Sequence, residues 1–482
     1  MAKATTTHIA VIPSAGFSHL VPIIEFSKRL LHLHSDFHVT CIIPSLAGSS
    51  SSSSTSYLQT LPSNINPIFL PPVPHHNITD QDQDNNHPGL QVQRTVTLSL
   101  PFIREALKSL MSSSNHGLVA LVADVFAMEV LEIGSELNIL SYVYFPLSAM
   151  VLSVYFYIPK LEEIVSNSEF RDFQDPIKMP GCVPVHGRDL TDSVQDRSSL
   201  VYKQFLERSR RFSLADGVLV NSFTELETET IKALQEEMKE KKKPMIHPVG
   251  PVLHSGSGKD QNGSDCLSWL NNQRARSVLY VSFGSGGTLT QEQVNELALG
   301  LELSGEKFLW VVRSPSKVAS AAYLDDNSND ENPLDFLPEG FLERTKEKGF
   351  VIPYWAPQIQ ILKHSSTGGF LSHCGWNSVL ESIQEGVPLI AWPLFAEQRT
   401  NAVLLTDGLK VALRLKVNEN GIVEREEIAK LVRSLMEGEE GKEIRRRMKD
   451  LSDASANALK EDGSSAKTLR HVALKWKNLS GT

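Results

Sequence analysis

No two of the four cysteines in this chain of 482 residues stand in a C-x-x-C pair; Cys41, Cys182, Cys266 and Cys374 are scattered. That spacing argues against a zinc site or a disulfide framework and for a reducing compartment. Positive charge is scarce too. With 47 Lys and Arg against 56 Asp and Glu, the net charge is −9, which speaks against a broad nucleic-acid surface. The first residues, MAKATTTHIAV, lack a charged region feeding an apolar run, so secretion is not expected and a cytoplasmic location is. One apolar stretch, 142–159, approaches membrane-span length, but Pro146 and Pro159 interrupt it and no basic flank anchors it. It reads as buried core or a pocket wall. The histidines at 32, 34, 38, 75, 76 and 87 have no carboxylate or cysteine at ligand spacing, so no metal is expected.

Several catalytic signatures are missing as well. There is no Walker A loop and no G-x-S-x-G elbow. The turn GSGGTL, 284–289, lacks the third glycine of a dinucleotide fingerprint, and no acidic residue ends the next strand, KFLWVVR. A nicotinamide-dependent dehydrogenase therefore fits the expected fold but not its motifs.

What is present is a globular composition, 41% hydrophobic and 21% charged, in a chain long enough for two domains of roughly 200 to 250 residues. In IAVIPSAGFSHLVPIIEF, 9–26, an unbroken apolar run is followed by a turn and then by apolar residues at helical spacing. The run reads as a strand covered on both faces. Pro22 belongs in a helix's first turn, which puts the helix start near His19. From the residues alone, the turn fits either a phosphate cradle or a mount for His19. Further buried strands are expected at 118–126 and 217–223, and surface loops at the serine run 49–54 and at 75–87.

The Pro-, Gly- and polar-rich stretch 241–265 is the best linker. Beyond it strands and helices alternate regularly, with strands at 307–313, 349–355, 368–373 and 388–393 and helices at 290–304, from Pro357 and from Trp376. Alternation of this kind means parallel sheets with right-handed crossovers. The fold class is therefore α/β, with two doubly wound domains facing across a cleft and ligands at the carboxyl ends of strands. The expected boundaries are 1–247, a linker 248–272, a second domain 273–460, and a last segment 461–482.

The segment FLSHCGWNSVLESIQEG, 370–386, combines a strand end at His373, a turn at Gly375 and a helix opening near Asn377 and Ser378. N–H groups at such a helix start, with the Asn and Ser side chains, suit a diphosphate. Glu381, one turn along, can accept from ribose hydroxyls. Taken alone, the same residues also fit an ordinary βα turn with an Asn/Ser cap. They do not stand alone. YWAPQ puts Trp355 and Gln358 at the preceding strand end, where an aromatic can stack on a base and an amide can read its edge. FAEQ puts Glu397 and Gln398 after the following strand. A nucleoside diphosphate carrying a sugar would use all three strand ends.

The run from Trp355 to Gln398, WAPQIQILKHSSTGGFLSHCGWNSVLESIQEGVPLIAWPLFAEQ, resembles without a gap the signature of plant secondary-product UDP-glycosyltransferases. The likeness extends over essentially the whole chain. PGCVPVHGRDL, VLYVSFGSGGTLT and FLERTKEKGFVIP resemble the subgroup of hydroquinone, monolignol and flavonoid glucosyltransferases. The resemblance implies a GT-B fold, with acceptor bound by the N-terminal domain and UDP-sugar by the C-terminal one. It also implies inversion at the anomeric carbon, no metal or other cofactor, and a last helix packing back on the first domain. It assigns uracil stacking to Trp355, base-edge or ribose contacts to Ala356 and Gln358, and the diphosphate to Ser285, His373, Asn377 and Ser378, with Trp376 among the UDP-sugar contacts. Ribose falls to Glu381 and sugar hydroxyls to Glu397 and Gln398. A final glutamine goes with glucose; the glutamate at 397, where many relatives have aspartate, keeps the acid one methylene longer.

Inverting transfer needs a base for the attacking hydroxyl. His19 is the candidate, and Asp124 can hold its other nitrogen, since ends of parallel strands in one sheet share an edge. The family gives these roles to the matching histidine and aspartate. Otherwise His19 would be a helix cap and Asp124 an unrelated aspartate. Many relatives carry PSPGMGH where this chain has Ala15, Phe17 and Ser18. Phe17, Phe126 and His19 are the expected acceptor contacts, with ordinary core packing the alternative for the aromatics. The expected partners are UDP-glucose and a small phenol, with no nucleic acid, no membrane span and a monomeric chain. A non-catalytic UDP-sugar binder is the reading from another class, and it would need neither His19 nor Asp124.

Overall fold

The structure is a computed structural model that describes residues 6–46, 57–73, 87–113, 117–165, 168–241, 244–254, 263–320 and 332–480. Most of the two expected surface loops and much of the linker lie outside these residues. The chain divides into two units. The first comprises Met1–Arg188, Ser193–His254 and Asn457–Thr482; the second comprises Asp189–Asp192 and Ser255–Ala456. The change of unit at 254 falls inside the expected linker. The capture of Asp189–Asp192 by the second unit has no counterpart in the sequence reading.

Among the described residues, the first unit is built on seven strands. These are β1 (Thr7–Ile12), β2 (Phe37–Ile43), β3 (Ile65–Phe69), β4 (Leu118–Asp124), β5 (Leu140–Phe145), β6 (Gly217–Val220) and β7 (Met245–Pro248). They pair in parallel in the order β3-β2-β1-β4-β5-β6-β7. Every residue of β1 and β4 is buried, as their continuous apolar runs require of a sheet covered on both faces. Strand order reverses between β1 and β4, which makes their carboxyl ends the switch point of this sheet.

The helix after β1 spans Phe17–Leu33, so it begins two residues before His19, and Pro22 stands inside it rather than in its first turn. The missing N–H costs one helical bond. Leu20, Val21, Ile23 and Ile24 around it are all buried, and that packing outweighs the loss. The apolar stretch 142–159 divides between β5 and the helix Ala149–Ile164. No helix among the described residues is long and apolar enough to cross a membrane.

The second unit holds six parallel strands. They are β8 (Val278–Ser282), β9 (Lys307–Val312), β10 (Gly349–Pro353), β11 (Thr367–Ser372), β12 (Leu389–Ala391) and β13 (Ala412–Arg414), in the order β10-β9-β8-β11-β12-β13. Its switch point lies between β8 and β11. The strands stop one or two residues short of the expected ends, and after β10 and β11 the turns carry non-glycine residues with positive φ, Tyr354 and Cys374. Side chains in that conformation cannot continue a strand.

Each unit has its own apolar core. The last helix, Ser464–Ser480, belongs to the first: its Leu469, Val472, Ala473 and Trp476 pack with residues of β1, β2, β4 and β5. The Trp476 ring meets Phe37 and Tyr142 edge-on, at 6.2 and 5.1 Å between centroids.

Candidate active site

At the first switch point, β4 ends on Asp124, a fully buried carboxylate. One of its oxygens, Oδ1, accepts from the Ser14 hydroxyl at 2.5 Å and from the Phe126 backbone N–H at 3.0 Å. The other, Oδ2, lies 3.2 Å from His19 Nδ1. Both bonds to Oδ1 come from the turns that leave β1 and β4, so the carboxylate is fixed before the histidine engages it. A contact in which Oδ2 accepts puts the proton on Nδ1 and leaves the lone pair on Nε2. His19, itself 7% exposed, meets Phe126 edge to face at 5.1 Å. The Arg208 guanidinium also faces the Phe126 ring, 4.7 Å from its centroid. Phe17 opens the helix Phe17–Leu33, but its side chain lies outside the described residues.

The second switch point gathers most of the residues named in the C-terminal half. His373 directly follows β11, and Gly375 caps the helix Trp376–Glu385 with no side chain. This leaves the positive end of that helix facing the turn. The His373 ring fits between two glycines: a Cβ on Gly284 or on Gly375 would stand 2.5 Å from Nε2. His373 is 9% exposed, and its Nδ1 has no hydrogen-bond partner among the described residues. Burial pushes its pKa down to about 4, so the ring is neutral at pH 7 and offers one N–H. Ser285, in the turn after β8, is exposed, and Asn377 is half-buried. The Trp376 side chain is 2% exposed and belongs to the core.

Gln358 sits at the start of the helix Gln358–Lys363, one residue past Pro357. Its amide Nε2 donates to Ser378 Oγ at 2.9 Å and to Glu381 Oε2 at 2.7 Å, while Tyr280 Oη donates to its Oε1 at 3.3 Å. Four residues from three separate sequence segments thus form one polar cluster. Ala356 is buried, whereas the Trp355 ring is 49% exposed, an unusual setting for a large aromatic in a well-packed domain.

Beyond β12, the Gln398 carboxamide oxygen accepts from the backbone N–H of Leu394 and of Phe395, at 2.8 and 3.0 Å. The side chain therefore braces its own loop, and the NH2 end is what it has to offer a hydroxyl. Asn401 Nδ2 donates to the carbonyl of Cys374 at 3.0 Å and reaches Glu397 Oε1 at 3.4 Å, which ties this loop to the His373 turn. Ser14, Asn401 and Arg208 were not legible as site residues, because each acts through a contact with a distant segment.

Two parallel α/β sheets with polar clusters at both switch points suit a nucleotide-binding enzyme, and similarity to known proteins identifies the family. The family model "UDP-glucoronosyl and UDP-glucosyl transferase" matches residues 220–452. UDP-glycosyltransferase 72B1 of Arabidopsis thaliana is 50% identical over 99% of this chain and 98% of its own length. Hydroquinone glucosyltransferase of Rauvolfia serpentina is 49% identical over 98% of each chain. UGT2 of Phytolacca americana, solved with UDP-2fluoro-glucose and pterostilbene, superposes with a TM-score of 0.88 at 45% identity, over 98% of this chain and 100% of that one. The chain belongs to the plant family 1 UDP-glycosyltransferases, in the subgroup of the hydroquinone enzyme, and has their GT-B fold. It is a hexosyltransferase that uses a UDP-sugar as co-substrate.

Proposed function

We propose that the protein transfers glucose from UDP-glucose to a phenolic hydroxyl of a small plant metabolite, with inversion, using His19 as general base and Asp124 as its partner. The observation that carries the mechanism is the His19 Nδ1–Asp124 Oδ2 contact of 3.2 Å, on a carboxylate whose second oxygen is already held by Ser14 and Phe126. In this reading Nε2 takes the acceptor's proton as its oxygen bonds to the anomeric carbon. The bond from that carbon to the UDP oxygen breaks, and the pair stays on the diphosphate. Asp124 stabilises the imidazolium that forms.

The second unit is the donor site and the first the acceptor site. His373, Asn377, Ser378, Ser285 and the first-turn N–H groups of the helix Trp376–Glu385 receive the charge that develops on the diphosphate. Trp355 stacks on uracil, with Ala356 and Gln358 at its edge. Glu381 holds ribose, and Glu397 with the NH2 end of Gln398 holds glucose hydroxyls. The scheme needs no metal. The phenolic acceptor is supported by the hydroquinone glucosyltransferase relative and by the pterostilbene complex, and Phe126 offers a flat apolar contact beside His19.

The test is His19→Ala assayed with UDP-glucose and hydroquinone. Calorimetric UDP binding should persist while turnover falls by a factor on the order of 10² or more. Near-normal turnover would remove His19 as the base, and retention of the α-anomer in the product would remove inversion.

A further inference from the structure

The four residues Asp189–Asp192 precede most of the second unit in the chain by more than sixty positions, yet they belong to that unit. Their contacts explain why. The backbone N–H of Asp192 donates to the carbonyl of Ala396 at 2.9 Å. In return the N–H of Ala396 donates to Asp192 Oδ2 at 2.7 Å, and Arg399 Nη1 donates to Oδ1 at 2.7 Å. Asp189 adds a second tie: its carbonyl accepts from the Thr400 hydroxyl at 2.9 Å, and its carboxylate pairs with Arg414 at 2.5 Å.

The clamped residue is a strained one. Ala396 has φ of 57°, a left-handed conformation that a Cβ disfavours by about 1 kcal/mol or more. It immediately precedes Glu397 and Gln398, so its backbone sets the direction in which both side chains leave the loop. Inside the loop, Gln398 Oε1 holds Leu394 and Phe395. Nothing in that internal bracing touches Ala396. The two-way bond with Asp192 is what satisfies its N–H and carbonyl together, and the charged bond to Arg399 fixes the Asp192 carboxylate in turn.

We propose that Asp192 is a positioning residue for the sugar end of the donor, holding Ala396 in the left-handed turn that aims Glu397 and Gln398 at the hexose. The proposal rests on the reading of Glu397 and Gln398 as the hexose contacts. Asp192 itself is not assigned a contact with the donor. It predicts selective damage: the hexose is read less well, while the nucleotide, held at the β8 and β11 turns and by Trp355, is not.

Asp192→Ala, Asp192→Asn and Glu397→Ala should be compared for KM with UDP-glucose, for inhibition by UDP, and for the turnover ratio of UDP-glucose to its C4 epimer UDP-galactose. For Asp192→Ala, KM for UDP-glucose should rise by roughly tenfold or more and the epimer preference should shrink several-fold, with UDP inhibition within about twofold of the parent. Asp192→Asn should fall between, since its amide oxygen can still accept from Ala396 while the pair with Arg399 is lost. It also decides the matter if the alanine variant does not fold. Unchanged KM and epimer preference in both Asp192 variants, with Glu397→Ala altered, overturns the positioning role alone. So does a loss of UDP affinity in step with KM, which marks general loosening. An unaltered Glu397→Ala overturns the hexose reading and the Asp192 proposal with it.

Discussion

Gly284 lies so close to His373 that a Cβ on it would stand 2.5 Å from the imidazole Nε2, and its φ of 74° already disfavours any side chain. The two penalties act together at the turn after β8, where the ring is packed between glycines 284 and 375. Gly284→Ala should therefore displace His373 or rebuild the turn. Calorimetry should show UDP affinity reduced by about 1 to 3 kcal/mol, from strain and a misplaced donor. Parent-like affinity would mean that the ring's position does not matter to the nucleotide.

His373 also leaves a signature in stability against pH. Its folded-state pKa is pushed down by burial to about 4, from an ordinary histidine value of 6.5. Between those values the unfolded chain binds a proton there and the folded chain does not. Stability contributed by the neutral ring is complete above pH 6.5, drains away as pH falls towards 4, and changes no further below that. His247, lowered to about 4 by burial and by Lys475 and His471, acts in the same direction. The contribution of His373 is isolated by difference: urea midpoints of His373→Gln should fall less steeply from pH 6.5 to 4 than those of the parent. Parallel slopes would contradict a buried neutral ring.

How far the sequence speaks for itself depends on how local the determinant is. Buried parallel strands announce themselves as apolar runs, so β1 and β4 were legible, and so was the turn-and-helix pattern after β11. The meeting of His19 with Asp124 followed from two strand ends on one sheet edge. Helix starts were less legible: Pro22 pointed to a first turn near His19, whereas tertiary packing extends the helix back to Phe17. Contacts between remote segments left no local pattern at all. Ser14 reaches Asp124 across 110 positions, and Ala396 reaches Asp192 across 204; nothing in the spacing around either serine or aspartate marks its partner.

Ser14 merits its own test, because it holds the oxygen of Asp124 that His19 does not use, at 2.5 Å. Removing the hydroxyl leaves the Phe126 N–H as the remaining donor to Oδ1 among the described residues. The carboxylate gains freedom to turn, and the imidazole loses part of its alignment. Ser14→Ala should lower kcat by roughly tenfold with UDP affinity unchanged, since the residue belongs to the first unit and holds the carboxylate that the proposed base His19 contacts. Ser14→Thr, which keeps a hydroxyl, should recover part of the rate. Equal rates for all three proteins would show that the Phe126 bond suffices.

Trp355 presents the opposite case, a side chain whose exposure carries the argument. At 49% exposed, its ring contributes less to the core than a buried tryptophan, so truncation should disturb stability little. The residue before it, Tyr354, has φ of 66°, and its N–H is held by the carbonyl of Val312 at 2.8 Å. The backbone that carries the indole is thus fixed from β9. An aromatic face held rigidly at a strand end pays little ordering entropy when a base stacks on it. Trp355→Ala should weaken UDP binding by about 1 to 3 kcal/mol, and Trp355→Phe by less, with midpoints of urea unfolding close to the parent's. A loss of stability comparable to the loss of affinity would instead assign the ring to the packing of the second unit.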